Sequence, residues 1–376
     1  TPGIVLIKGD SSLNIYWTYV IVSGLWFKDG KTTKKHVVQF RKNSKVFAYN
    51  CRFTNSTISY FDAVDGISNH WVDLYGKNNR VDHNNFTGKE SIGTTLVVVL
   101  REKEHQDNNH RIDHNYFGPR PELGENGGET IRVGTSTYSR VSSKSLIENN
   151  IFRGCNGESE IISNKSEDNI YRNNLFIESE GTLTLRHGNN ALVENNVFVG
   201  NGKSKTGGIR VINAGHVIQN NLMIGLRGTS YRGPIVVMNG VPNSPLNRYD
   251  QVKDVLIQNN TIIDCSPITF GVGKAVRTNK SIYLKERALE ELIKYTEEYR
   301  MMVAYGEKPL PGKQPRNGHK VNIYNPYQEQ RGLGASFGET VQIIEGTMFH
   351  VITDKSNETS GAQSGYFNIK TWIEWE

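Results

Sequence analysis

Two glutamates, Glu158 and Glu160, stand one residue apart in the run Gly157-Glu158-Ser159-Glu160-Ile161-Ile162. Side chains alternate across a strand, so in extended backbone both carboxylates face the same side. Adjacent like charges repel, and a hard divalent cation between them removes that cost; Ca²⁺ takes carboxylate and amide oxygens. Asn126, in Asn126-Gly127-Gly128-Glu129, supplies such an amide about one repeat earlier. Downstream, Lys165 and Arg186 lie 21 residues apart, close to one repeat, which predicts that they stack as neighbours. Nearby cations disfavour protonated lysine, so a Lys beside an Arg and a metal becomes a usable base. Taken singly, these residues read as a surface ion-pair cluster. Their concentration in one stretch points to a site.

Such a site needs a scaffold, and internal repeats supply it. Asn84, Asn115, Asn150, Asn174, Asn196, Asn221 and Asn260 each stand two residues before an apolar residue: Phe86, Phe117, Phe152, Phe176, Phe198, Met223 and Ile262. The spacings are 31, 35, 24, 22, 25 and 39, a short unit lengthened in places by loops. Runs such as Thr182-Leu183-Thr184-Leu185 alternate with Asn- and Gly-rich turns, no unit reads as a helix, and the frame of leucine-rich repeats is missing. These features predict an all-β chain wound as a right-handed parallel β-helix. Equivalent residues of consecutive coils then lie about 4.8 Å apart. The seven asparagines should form a structural ladder, because Asn tolerates left-handed turn geometry and hydrogen-bonds its stacked neighbour. Phe152, Phe176 and Phe198 should stack beside it and fill the core.

Composition narrows the function classes. With 376 residues and 36% hydrophobic content, the chain is neither a mini-protein nor disordered by composition. Its apolar runs, such as Leu96–Leu100, fall far short of the ~20 residues of a membrane helix, so no membrane span is expected. Thr1 to Asp10 show no signal peptide. Cys51, Cys155 and Cys265 lack metal-ligand spacing and read as buried small apolar residues. A net charge of +6 allows a basic groove for an anionic ligand. Dispersed Lys and Arg argue against nucleic acid.

Residues 1–276 hold 33 of the 39 asparagines, which places a boundary near residue 277. Beyond it, Ser281 to Tyr305 carries Leu284, Ala288, Leu289, Leu292, Tyr295, Tyr299, Met302 and Val303 at amphipathic-helix spacing. Pro309, Pro311 and Pro315 then mark a linker, and the segments around Val341–Ile352 and Phe367–Trp375 predict a small β-rich module. The expected organisation is therefore a β-helix over 1–276 and a C-terminal region, 277–376, of unassigned role.

At these relative positions on a β-helix pattern, Asn126, Glu158, Glu160, Lys165, Arg186 and His187 resemble polysaccharide lyase family six, which contains alginate lyases and chondroitinase B. The runs Asn126–Gly134, Gly181–Gly188, Gly208–Val211 and Arg232–Pro245 carry the same resemblance, over roughly residues 15 to 276. The resemblance implies a secreted or periplasmic enzyme that cleaves a uronic-acid polysaccharide by β-elimination. Alginate is the first substrate implied, with an activity of the poly(β-D-mannuronate) lyase type; a dermatan or chondroitin glycosaminoglycan is the alternative. Residue by residue, Asn126, Glu158 and Glu160 would bind Ca²⁺, which neutralises the uronate carboxylate. Lys165 would remove the C5 proton, and Arg186 would stabilise or protonate the departing O4. Arg132, His187, Arg210 and Arg232 would grip neighbouring carboxylates, and Tyr231 and Tyr249 would contact sugar rings. A non-catalytic β-helix that binds acidic glycan is the competing class, and the Lys165/Arg186 pair argues against it. The chain also begins without the N-terminal cap and first coils that the resemblance leads one to expect, which predicts an open end there.

Overall fold

The structure, a computed structural model, describes residues 5–124, 126–241 and 243–273, and also the backbone of the strands Gln342–Ile344 and Met348–His350. Each coil of the chain lays one short strand into each of three long sheets. The first sheet has ten strands, from Val5–Ile7 to Thr261–Ile263, and the second has ten, from Leu13–Asn14 to Thr269–Val272. The third has nine, from Ile21–Ser23 to Leu256–Gln258. Pairing within these sheets is parallel, and equivalent residues meet: Phe117, Phe152, Phe176, Phe198 and Met223 are successive partners in the first sheet. This is a parallel β-helix, as the repeat pattern predicted. Among the described residues, helix is confined to three single turns of 3-10 type, and no helix is long and apolar enough to cross a membrane.

The asparagine ladder runs unbroken from Asn84 to Asn260. Each side chain donates Nδ2–H to Oδ1 of the next, at 2.8 to 3.1 Å. The same Oδ1 accepts the backbone N–H of the preceding ladder residue. The turn geometry, however, belongs to the neighbour before it. His83, His114, Asn149, Asn173, Asn195, Asn220 and Asn259 hold φ between 53° and 55°, in the left-handed region that short polar side chains tolerate. The Asn-or-His, Asn pattern thus divides its work: the first residue turns the chain and the second ties the coils.

Beside the ladder, Phe86, Phe117, Phe152, Phe176 and Phe198 stack nearly parallel, with centroids 4.5 to 5.2 Å apart. Cys51 and Cys155 are buried, while Cys265, in the last described coil, is only half-buried against the core. The helix predicted over 281–305 and the boundary near 277 lie outside the described residues. So does most of the C-terminal β-rich stretch, of which the antiparallel pair Gln342–Ile344 with Met348–His350 is described.

Candidate active site

The longest strands, Glu160–Lys165, Gly181–His187 and Thr206–Val211, are neighbours in the second sheet. Ile131, Ile162, Leu183, Ile209 and Ile235 align and enter the core. The next residues along, Arg132, Ser163, Thr184 and Arg210, therefore form a row on the outer face.

Two register shifts shape this face. Glu160 pairs with Thr182 while Ile162 pairs with Leu183; Asn164 pairs with Leu185 while Lys165 pairs with His187. The second shift makes Arg186 the extra residue of a bulge, a device that re-aims a side chain. Lys165 is thus opposite His187, not stacked on Arg186 as the spacing had predicted. Arg186 instead lies with Nε 3.5 Å from Glu160 Oε1 and its guanidinium 4.3 Å over the Tyr249 ring. Lys165 Nζ sits 3.5 Å from Glu129 Oε1, and Thr94 donates to the other Glu129 oxygen at 2.9 Å. Burial pushes the Glu129 carboxyl up, but Lys165, Arg132 and the Thr94 hydroxyl outweigh it and hold it below the usual range. Glu129 had no assigned role in the sequence reading. Its signal there was only its place in the run shared with Asn126.

Glu158 precedes the Glu160–Lys165 strand, in a bend, so strand alternation does not set its direction. Even so, it feels both other carboxylates: burial, then Glu129 and Glu160, push its carboxyl up to about 8. Two glycines let its bend meet the Asn126 turn. A Cβ on Gly128 would stand 2.3 Å from the Gly157 carbonyl oxygen, and one on Gly157 2.1 Å from that of Gly128. Buried Arg120 clamps the turn from beneath, donating to the Gly128 and Glu129 carbonyls at 3.0 Å and to those of Ser91 and Gly93. Asn126 and Glu158 consequently line one cleft of about 360 Å³, with Glu122, Ser159, Tyr231 and Arg232. Glu160 is more enclosed: its carboxylate accepts from Arg210 Nη2 and from the Ser163 hydroxyl.

Of the remaining predicted residues, Tyr231 and Arg232 line this cleft. Tyr231, on a 3-10 turn, lies under the Arg210 and Arg232 guanidinium groups at 5.7 and 5.3 Å. His187 is buried; that burial, with Arg186 and Lys165 nearby, drives its imidazole down to about 3. It is neutral near pH 7 and offers a hydrogen bond, not the charged grip on a carboxylate expected of it. Arg132 Nε, Arg186 Nη1, Arg210 Nε and Arg232 Nε are buried N–H groups without hydrogen-bond partners. Unpaired buried donors are costly, and in a groove they select an acceptor from outside.

Among the described residues no three His, Cys, Asp or Glu side chains converge as a metal cluster. A Ca²⁺ ion would accordingly need the Asn126 amide beside carboxylate. The donor chemistry fits a hard cation: beside the Asn126 amide and the Glu158 carboxylate the cleft offers side-chain oxygens of Glu122, Ser159 and Tyr231, and Glu158 has no ion-pair partner among the described residues while two carboxylates oppose its charge.

Comparison with known proteins agrees with this architecture. The chain is 51% identical to the PL6 family alginate lyase AlyGC, over 75% of this chain and 39% of that one, with a TM-score of 0.72. It is 35% identical to a mannuronic acid specific polysaccharide family 6 lyase from human gut microbiota, over 76% of this chain and 65% of that one, with a TM-score of 0.70. A PL6 alginate lyase in complex with a trisaccharide is 28% identical, over 72% and 62%, with a TM-score of 0.64. The chain thus spans about two fifths of AlyGC and less than two thirds of the other two. No curated protein matches it. Residues 1–343 match the family model of chondroitinase B, and on that match and these identities the chain belongs to polysaccharide lyase family 6.

Proposed function

We infer that the protein cleaves a uronic-acid polysaccharide, alginate first, by β-elimination at the outer face of the second sheet. The observation that carries this reading is the set of unpaired, buried guanidinium N–H groups of Arg132, Arg186, Arg210 and Arg232, of which Arg232 lines the acidic cleft, Arg132 shares Glu129 with Lys165, and Arg186 and Arg210 share Glu160. A polymer with a carboxylate on every ring supplies the acceptors these donors lack.

Asn126, Glu158 and Glu160 are the residues that would hold Ca²⁺. When bound, the cation counters the charge of a uronate carboxylate and so makes the C5 proton acidic. Lys165 takes that proton. The C5–H electron pair becomes the C4–C5 double bond and the C4–O4 bond breaks. Arg186, re-aimed by its bulge and backed by Tyr249, stabilises the charge on departing O4, which acquires a proton from Arg186, water or a sugar hydroxyl. Arg210 and Arg232 bind neighbouring carboxylates, and Tyr231 offers its ring to a sugar face. His187 contributes a neutral hydrogen bond. Glu129 holds Lys165 in place. The 51% identity to an alginate lyase supports alginate, the 35% identity to a mannuronate-specific lyase supports the poly(β-D-mannuronate) type, and such a substrate places the enzyme in the periplasm or outside the cell.

The test is to incubate the folded protein with Ca²⁺ and alginate, and separately with dermatan sulfate, while following ultraviolet absorbance of the new double bond. A rise on alginate is expected. A rise on dermatan sulfate alone would favour the glycosaminoglycan reading, which the chondroitinase B match keeps open. No rise on any uronate polymer would sink the lyase reading and leave a glycan-binding β-helix.

A further inference from the structure

The two longest steps of the asparagine ladder are 35 residues, from Asn115 to Asn150, and 39, from Asn221 to Asn260; between them lie short steps of 24, 22 and 25. The short steps carry Glu160–Lys165, Gly181–His187 and Thr206–Val211, and the long ones carry the strands that flank these three, Ile131–Gly134 and Ile235–Met238. Four strand spacings, about 19 Å, separate the flanking strands. The loops that leave their C-terminal ends nevertheless meet. Arg140 Nη2 donates to Asp250 Oδ2 at 2.5 Å, across 110 residues of sequence, and Arg140 Nη1 lies 3.7 Å from Glu167 Oε1. Glu167 stands two residues after Lys165 and bridges to Ser142. One guanidinium therefore joins the two flanking loops to the end of the strand that carries Lys165.

The residues next to Asp250 touch the site. The Arg186 guanidinium lies 4.3 Å over the Tyr249 ring, which packs on Ile212, Val236 and Met238. The Arg248 carbonyl accepts a hydrogen bond from the His187 ring. Among the described residues Arg186 has no register partner, so its direction rests on its contacts with Glu160 and Tyr249. Pro245 to Arg248 are exposed, so the loop that presents Tyr249 is held from few sides. We propose that Arg140, through its clasp on Asp250 and Glu167, is a positioning residue that holds Tyr249 under Arg186, a role that rests on the elimination inferred above. The Arg140 and Asp250 side chains are 43% and 39% exposed, so the clasp adds little to global stability. Its effect is on the aim of Arg186.

The test uses the full chain and two readouts. Arg140→Ala should raise amide exchange across 243–251 at least several-fold, keep the ladder strands protected, and move the melting temperature by less than about 4 °C. On alginate, kcat should fall about tenfold with KM within about twofold, because Arg186 acts on charge that develops only as O4 departs. Arg140→Lys should restore part of that loss. In Arg140→Ala combined with Asp250→Ala the two effects should not add, and full additivity would overturn a shared clasp. Unchanged exchange across 243–251 would overturn the clasp whether or not alginate is cleaved. Raised exchange with unchanged kcat would overturn the positioning role. A wild-type protein inactive on every uronate polymer would sink the lyase reading and the positioning role with it, while the exchange result still decides the clasp.

Discussion

At the residue scale, the proposed chemistry rests on Lys165, which reaches its position through contacts across coils. Its partner Glu129 precedes the Ile131–Gly134 strand, and its register partner is His187. Lys165→Ala removes the proposed base and should lower turnover on alginate by about 10²-fold or more. Retardation in an alginate-containing native gel should persist, because the arginines remain. Near-normal turnover would show that another group takes the proton. The oxygen donors make a separate claim, readable without activity: at a hundredfold excess over its dissociation constant, Ca²⁺ should stabilise the fold by about 2.7 kcal/mol. Glu158→Gln should erase most of that gain in thermal melts, and an undiminished shift would place the ion elsewhere. Asn126, Glu158 and Glu160 were legible as donors from residue type. Glu129 was not, because its partnership with Lys165 depends on how the turn between Asn126 and Ile131 lies against the next coil.

At the scale of elements, the ladder and the two-glycine contact do different work. Asn174 accepts from Asn150 and donates to the Ile147 carbonyl and to Asn196 Oδ1, all within the buried interior. Asn174→Ala orphans those groups and should cost about 2 to 4 kcal/mol in denaturant unfolding, with specific activity of the folded fraction retained. A loss under 1 kcal/mol would mean that neighbouring groups re-pair. Gly128→Ala acts at the site instead: its methyl meets the Gly157 carbonyl at 2.3 Å, so the Asn126 turn and the Glu158 bend must separate. Weakened Ca²⁺ stabilisation with little change in the metal-free melt is expected, and an unaltered Ca²⁺ response would show that the two loops move without consequence. The ladder was legible because it repeats. The bulge at Arg186 was not, since a one-residue shift leaves no mark in the period.

At the scale of the whole molecule, stability should fall on acidification. Burial drives His110 down to about 3 and His216 down to about 4, against about 6.5 in the unfolded chain. For a folded value below the unfolded one, the stabilising contribution is complete above about 6.5 and is lost as pH falls toward the folded values. Asp113 adds the same sign lower down: its ion pairs and hydrogen bonds overcome burial and hold it at about 2. Glu158 has the opposite sign, its cost growing as pH rises from the ordinary carboxylate range through about 8. Burial raises Glu167 in the same direction, which sets two carboxyls against the imidazoles of His36, His105, His110 and His216 and the Asp113 carboxyl. Melting temperature should therefore decline steadily from pH 6.5 to pH 4 in circular-dichroism melts; a flat profile over that window would show that the buried imidazoles are not desolvated as described.

The sequence by itself determined the period, the all-β class, the identity of the seven ladder asparagines and the phenylalanine stack, and the oxygen and nitrogen groups available for chemistry. These follow from local rules that repeat in every coil: side-chain alternation, left-handed turn residues, and amides that bond to their own kind. Only the tertiary structure decided that Lys165 meets Glu129, that Arg186 turns toward Glu160 and Tyr249, and that Gly128 touches Gly157. Those contacts join residues from coils of unequal length, separated by as few as 22 and as many as 39 residues along the ladder. A periodic pattern specifies what stacks, but loop length and a single-residue bulge specify what meets.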